Sequence, residues 1–292
     1  MGININSRIL LSVASITAAV ALIVGATFAF FSDTETSTGN TLAAGSLDLR
    51  VDNTCTYNGI PCAEGEGLET TWQETDLVPG VHKFFNFDDI KPGDNGEDTV
   101  SLHVVDNNAW ARFSVDEVSD LDVTCTEPES ESTDTDCNPA ETPGDGELQE
   151  ALNFEVWLDQ GTIPGFQGTG DTGEGDNIFN FSDVQLATPG PIDDGGENYD
   201  LWTVLAGVRS ALGIACDTDD DDGDGVTPGG TGACQGLPTD GHLVGSTTYY
   251  FGIGWELPEN TGNEAQSDEF VADMIFEAVQ HRNNPTQQGF TP

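Results

Sequence analysis

Residues 247–257 read TTYYFGIGWEL. On an extended chain Thr247, Tyr249, Phe251, Ile253, Trp255 and Leu257 share one face, and Thr248, Tyr250, Gly252, Gly254 and Glu256 share the other. Aromatic and β-branched residues at a period of two specify a strand. The first face is apolar along most of its length and needs a core beneath it. The two glycines on the second face leave room for a close backbone approach. A helix of comparable strength is predicted in one place, 201–212, where Leu201, Val204, Leu205, Val208 and Leu212 follow a helical period.

Working outward, the same alternation recurs. Phe270, Ala272, Met274, Phe276 and Ala278 predict a last strand. Upstream, Leu47, Leu49 and Val51 predict a first one, and Leu152, Phe154, Val156 and Leu158 another. Val100, Leu102 and Val104, then Ala111, Phe113 and Val115, flank the turn signal Asp106-Asn107-Asn108 and read as a hairpin. Val81–Phe87 is a short aromatic piece, and Ile178–Phe181 a short apolar one. Long polar loops are expected at 52–80, 119–146 and 161–175, and His281–Pro292 reads as a mobile polar tail. About eight strands, one helix and no repeat predict an all-β protein, a two-sheet β-sandwich with long acidic insertions. The residue pattern leaves jelly-roll and immunoglobulin-like strand orders equally open.

The chain carries 7 basic and 52 acidic residues, a formal charge of −45. Such a surface repels nucleic acid and itself, which excludes nucleic acid as a partner and disfavours a membrane surface for the body of the protein. At about 1 M salt the Debye length falls to about 3 Å and the self-repulsion is largely screened. The composition is therefore expected of an extreme halophile. An acidic disordered chain is the other reading of such a charge, and the many regular apolar runs argue against it.

Six cysteines form three local pairs, Cys55/Cys62, Cys125/Cys137 and Cys216/Cys234, each bracketing one loop. Six cysteines allow fifteen connectivities, of which the local one is expected. No C-x-x-C spacing suggests a metal site in their place.

The N-terminus is a separate device. Ile9–Phe31 is continuously apolar or small, with Arg8 just before it. That is long enough to span a bilayer. Thr27-Phe28-Ala29 ends the run with small residues where a signal peptidase reads, so cleavage between Ala29 and Phe30 is expected. An uncleaved anchor helix is the alternative. Removing residues 1–29 takes away one charge, Arg8, and leaves −46. The expected organisation is a signal peptide at 1–29, a strand and joint at 30–45, a β domain at 46–280 and the tail at 281–292.

The junction G-A-T-F-A-F-F-S-D at 25–33, followed by A-A-G-S-L-D-L at 43–49, resembles that of the TasA/camelysin family. That family comprises bacterial biofilm fibre proteins with SipW-type signal peptides and relatives among archaeal bundling pili; the acidic composition would make this a haloarchaeal-type member. Ile90-Lys91-Pro92-Gly93-Asp94 is similar to the family's turn between early strands, and Gly262-Asn263 leading to Phe276-Glu277-Ala278 to its last strand. The acidic loops have no counterpart in the resemblance. The resemblance implies a jelly-roll-like sandwich and a secreted subunit that polymerises with itself. Assembly would proceed by donor-strand exchange, the freed N-terminus completing the neighbouring sandwich. Phe30, Ser32, Thr34, Thr36 and Thr38 would then form an uncharged strand face beginning with Phe30-Phe31, with Asp33 and Glu35 opposite. A disordered spacer is the other reading of this segment.

No catalytic constellation stands out. His82, His103, His242 and His281 are scattered in the sequence, and neither H-E-x-x-H nor G-x-S-x-G occurs. His103 is expected as an outward polar residue on a strand. Camelysin-type relatives have been classed as metallopeptidases, which keeps that activity as a remote alternative. Asp220, Asp222 and Asp224, followed by Gly225, resemble the start of a calcium loop, but Thr231 stands where an EF-hand needs a bidentate glutamate. A simpler calcium loop stays open beside a plain acidic loop, and no cofactor is required. Asn180-Phe181-Ser182 is a glycosylation sequon. Two functions compete: a filament subunit, and a monomeric or membrane-tethered exported surface or calcium-binding β domain.

Overall fold

In a computed structural model of the chain, residues 47–62, 70–130, 137, 146–168, 171–192, 196–212 and 234–290 are described. They form ten strands, β1 (Asp48–Tyr57), β2 (Ile60–Pro61), β3 (Trp72–Thr75), β4 (Asn95–Val105), β5 (Ala109–Asp122), β6 (Asn153–Leu158), β7 (Val184–Gly190), β8 (Glu197–Asp200), β9 (Thr248–Glu256) and β10 (Asp268–Gln280). Two one-turn helices, α1 (Glu127–Ser130) and α2 (Leu148–Ala151), and the longer α3 (Leu201–Leu212) complete them. Every strand pairing is antiparallel. The first sheet runs β2-β1-β4-β9-β6-β7 with β3 also on β1, and the second runs β10-β5-β8.

The expected two-sheet β-sandwich is present. Val100, Leu102 and Val104 of β4 and Phe251 and Ile253 of β9 share one core with Ala111, Phe113 and Val115 of β5. The predicted helix is found over Leu201–Leu212, with Leu201, Leu205 and Val208 buried and Val204 and Leu212 partly buried against the core.

β4 and β5 are not the expected hairpin. β4 pairs with β1 and β9, whereas β5 pairs with β10 and β8. The turn Asp106-Asn107-Asn108 is a corner between sheets, made by a left-handed Asp106 at φ 68°. Asn108 ties the corner down by accepting from Gly245 N at 2.9 Å. The inward faces of both strands are apolar, so each needs the other sheet across the core more than it needs its sequence neighbour beside it. β9 and β10 cross between the sheets in the same way. Because His103 pairs with Thr248 and Asn95 with Glu256, the two corners lie at opposite ends of the sandwich.

The loop expected from residue 52 begins later. β1 continues through a buried Cys55 to Tyr57, then turns at Asn58 and Gly59, with φ 49° and 74°, into β2. Asn-Gly with positive φ at both positions is the signature of a tight hairpin turn. Likewise β5 runs on to Asp122 in a region expected to be irregular, because all of it is paired by β10. Val81–Phe87 is not a strand; Phe84 packs edge-on to Trp72 at 5.1 Å and faces Phe276 at 5.8 Å. Ile90–Asp94 is a turn anchored on β1 and the β1–β2 turn. Asp94 accepts from Tyr57 Oη at 2.7 Å and Asn58 Nδ2 at 2.8 Å. The tail is not free over residues 281–290. Trp110 Nε1 donates to Asn284 O at 2.6 Å, and Phe290 stacks on Trp202 at 5.2 Å.

Both faces of β9 are covered, and the second cover is the polar stretch 159–183. Trp157 lies over Gly252, so the room there is taken by a side chain and not by the expected backbone, and Tyr250 lies against Gly175. Carboxylates shape this stretch. Asp171 accepts from Thr162 N and Ile163 N, Glu174 from Gln167 N and Gly168 N, and Asp183 from Asn180 N and Gln160 N. A segment with few apolar residues is thus held largely by acidic side chains satisfying backbone donors.

Candidate functional site

No residue of β10 is fully buried. The strand is thirteen residues long, pairs with β5 along its length, and ends its sheet. Among the described residues no strand pairs with its other edge. On β5 the inward residues Ala111, Phe113 and Val115 are buried to 1%, 1% and 4% exposure. On β10 the inward residues Phe270, Ala272, Met274, Phe276 and Ala278 pack on the same core but stay only partly buried. Phe276 stacks on Phe113 at 4.8 Å, and Phe270 approaches Phe154 at 6.3 Å. The outward Val271 and Ile275 are exposed. A three-stranded sheet covers a seven-stranded one, so apolar surface is left over where the smaller sheet stops. A cleft of about 390 Å³ opens between the sheets, lined by Val115, Val156, Leu186, Tyr199, Ile253 and Met274.

A long open edge with a half-covered apolar face is a template for another strand. Sequence reasoning found the strand and its apolar face but not that it is an edge. Edge position depends on which strands pair, and alternation does not encode that.

Two of the four histidines are brought together. His242 Nδ1 lies 2.6 Å from Asp240 Oδ1, and His281 Nε2 lies 3.0 Å from Asp240 Oδ2. The two rings stack with centroids 4.1 Å apart, beside Trp110. Burial acts to raise the Asp240 pKa, and the hydrogen bonds from both imidazoles overcome it and hold the carboxyl below its ordinary range. His242 Nε2 meets Asn108 Nδ2 at 2.8 Å, so the cluster also braces the β4–β5 corner. Asp240, His242 and His281 offer atoms close enough together for one metal ion. The separation of 39 residues between His242 and His281 hid this from motif reading. His103 lies on β4 as expected, with Nε2 2.8 Å from Asp52 Oδ2 and Nδ1 3.2 Å from Thr248 Oγ1.

Two predicted disulfides are present, Cys55–Cys62 and Cys125–Cys137, with Cα separations of 5.3 and 5.1 Å. Cys234 is disulfide-bonded; its expected partner, Cys216, lies outside the described residues. So do Ala29, the strand candidates Phe30, Phe31, Ser32, Thr34, Thr36 and Thr38, and the calcium candidates Asp220, Asp222 and Asp224. Asn180 sits in a turn, its Oδ1 accepting from Ser182 N at 3.1 Å, between exposed Phe179 and Phe181.

Residues 4–66 match the profile of the camelysin metallo-endopeptidase family. The match covers the N-terminal junction and β1. Comparison with curated proteins finds no match. The disulfides and the camelysin match both fit an exported protein.

Proposed function

We propose that this chain is an exported structural subunit that polymerises into extracellular filaments and is not an enzyme. In this reading Phe30–Thr38 of one subunit adds as a strand to the open edge of β10 on the next. The observation that carries it is the state of β10, a thirteen-residue edge strand whose inward apolar row is only partly buried. An added strand satisfies open backbone groups and covers that row. The uncharged face of Phe30, Ser32, Thr34, Thr36 and Thr38 suits the core side, and Asp33 and Glu35 suit brine. Each backbone hydrogen bond contributes about 0.5–1.5 kcal/mol net, and burial of Phe30 and of Phe31 about 1.5–3 kcal/mol each. The camelysin match takes in this segment, and the family resemblance implies fibre subunits.

No catalysis is assigned to the Asp240 cluster. Both Asp240 oxygens are engaged by the two rings, and His242 Nε2 is engaged by Asn108. Hydrogen bonding explains that geometry without an ion. Deleting Phe30–Thr38 behind an intact cleavage site tests the proposal. Secreted, folded monomers and no filaments in negative stain are expected. Filaments of normal length from that variant would overturn it and favour a monomeric surface domain.

A further inference from the structure

At the root of β10 three carboxylates converge. Asp268, the first residue of β10, stands opposite Asp122, the last residue of β5. Glu129 comes from α1, four residues after the bridged Cys125. Each of the three offers an oxygen, and these oxygens lie within 4.8 Å of one another. Asp122 and Glu129 are buried, with exposures of 1% and 0%.

The oxygens are held in place by their surroundings. Glu129 Oε2 accepts from Thr126 N at 2.7 Å and from Ser267 Oγ at 3.3 Å. Its other oxygen, Oε1, is buried and has no hydrogen-bond partner. Asp268 repeats the pattern: Oδ2 accepts from Glu147 N at 2.7 Å, while a buried Oδ1 accepts nothing. One oxygen of each is used to orient the group, and the other is buried without a hydrogen-bond partner. Orienting contacts of this kind are how proteins fix ligands around a metal.

A wholly buried carboxylate with one oxygen left unsatisfied, as at Glu129, is costly.

We propose that Asp122, Glu129 and Asp268 form a calcium site that pins the root of β10 to the end of β5 and to α1. The donor set is all oxygen, which suits calcium and not zinc. Calcium binds oxygens at about 2.3–2.6 Å, so two ligands of one ion lie at most about 5.2 Å apart. The three carboxylate oxygens meet that limit. Cys125 and Cys137 adjoin Glu129 but are bridged to each other, so they are not thiolate ligands. Their bridge restrains the segment that delivers Glu129. The ion would thus brace the first residues of the edge strand whatever pairs with that edge. None of its three residues is among the calcium candidates Asp220, Asp222 and Asp224.

The test is calcium titration of the chelator-treated full chain in molar sodium chloride, by calorimetry and by thermal unfolding. Wild type should release or take up heat on binding and show a higher Tm with calcium. Glu129→Gln and Asp268→Asn keep size and shape; each should weaken binding at least tenfold and lose the calcium-dependent rise in Tm. A triple variant, Asp220→Asn, Asp222→Asn and Asp224→Asn, should keep both responses. A wild type whose Tm ignores calcium overturns the proposal. So does wild-type affinity and Tm response in both single variants, or loss of all calcium response in the triple variant alone.

Discussion

The indole of Trp157 on β6 fills the space in which a Cβ on its cross-strand partner, Gly252 on β9, would stand. The outer face of the larger sheet is therefore packed, and Phe179 extends that packing with an edge-on contact to Trp157 at 5.8 Å.

Gly252→Ala should destabilise the domain by about 1–3 kcal/mol, the cost of overpacking a filled site. Gly254→Ala should cost less, because the nearest atom to a Cβ there is Glu155 Cγ at 3.1 Å, on a flexible side chain. Denaturant unfolding in molar salt measures both. Equal losses would show that Trp157 does not set the glycine requirement.

Acid should stabilise the fold across a defined window. Burial, with help from neighbouring carboxylates, raises Glu97, Asp159 and Glu174 to about 7. Unfolded carboxyls titrate near about 4. Between those values the folded chain binds more protons than the unfolded one, so stability falls as pH rises through the window. Tm should therefore increase from pH 8 to pH 5, and Asp159→Asn should flatten the increase. Asp240 works the other way: its depressed pKa gives stability that is lost as pH falls below about 4. A wild-type Tm that climbs from pH 5 to pH 8 would contradict this assignment.

The exported protein, denatured without reductant, should show no free thiol by Ellman titration. Opening one bridge, as in Cys55→Ser with Cys62→Ser, should cost about 2–4 kcal/mol. That bridge closes the β1–β2 hairpin at an edge of the larger sheet. Six thiols in the untreated protein would refute the framework.

Lowering salt should loosen both the fold and its assemblies. At about 0.1 M salt the Debye length is about 10 Å, and a chain of charge −45 repels itself and its copies over that range. Circular dichroism and light scattering during dialysis from molar salt check this. Unchanged stability and assembly at low salt would remove brine adaptation as the reason for the acid excess.

The sequence is most legible where one side chain's chemistry suffices. The alternation at 247–257 specifies β9, and Leu201, Leu205 and Val208 specify α3, since each needs only a local period and a core beneath it. Close cysteine spacing likewise anticipates Cys55–Cys62 and Cys125–Cys137. Asn58-Gly59 carried a turn signal inside what read as a loop. The far half of β5 carried none, because Asp116, Ser119 and Asp120 look like loop residues until β10 pairs with them.

What the sequence determined by itself was the strand class, the helix, the cysteine pairing that can be seen, and a strongly acidic charge. Tertiary structure alone decided that β4 and β5 part into different sheets, that β10 is an edge, and that Asp240 meets two histidines. It alone brought Asp122, Glu129 and Asp268 to one point. The division follows from range. Periodicity and turn chemistry act over a few residues and are written locally. Strand order and the meeting of charges 146 residues apart depend on how two sheets of unequal width close over one core.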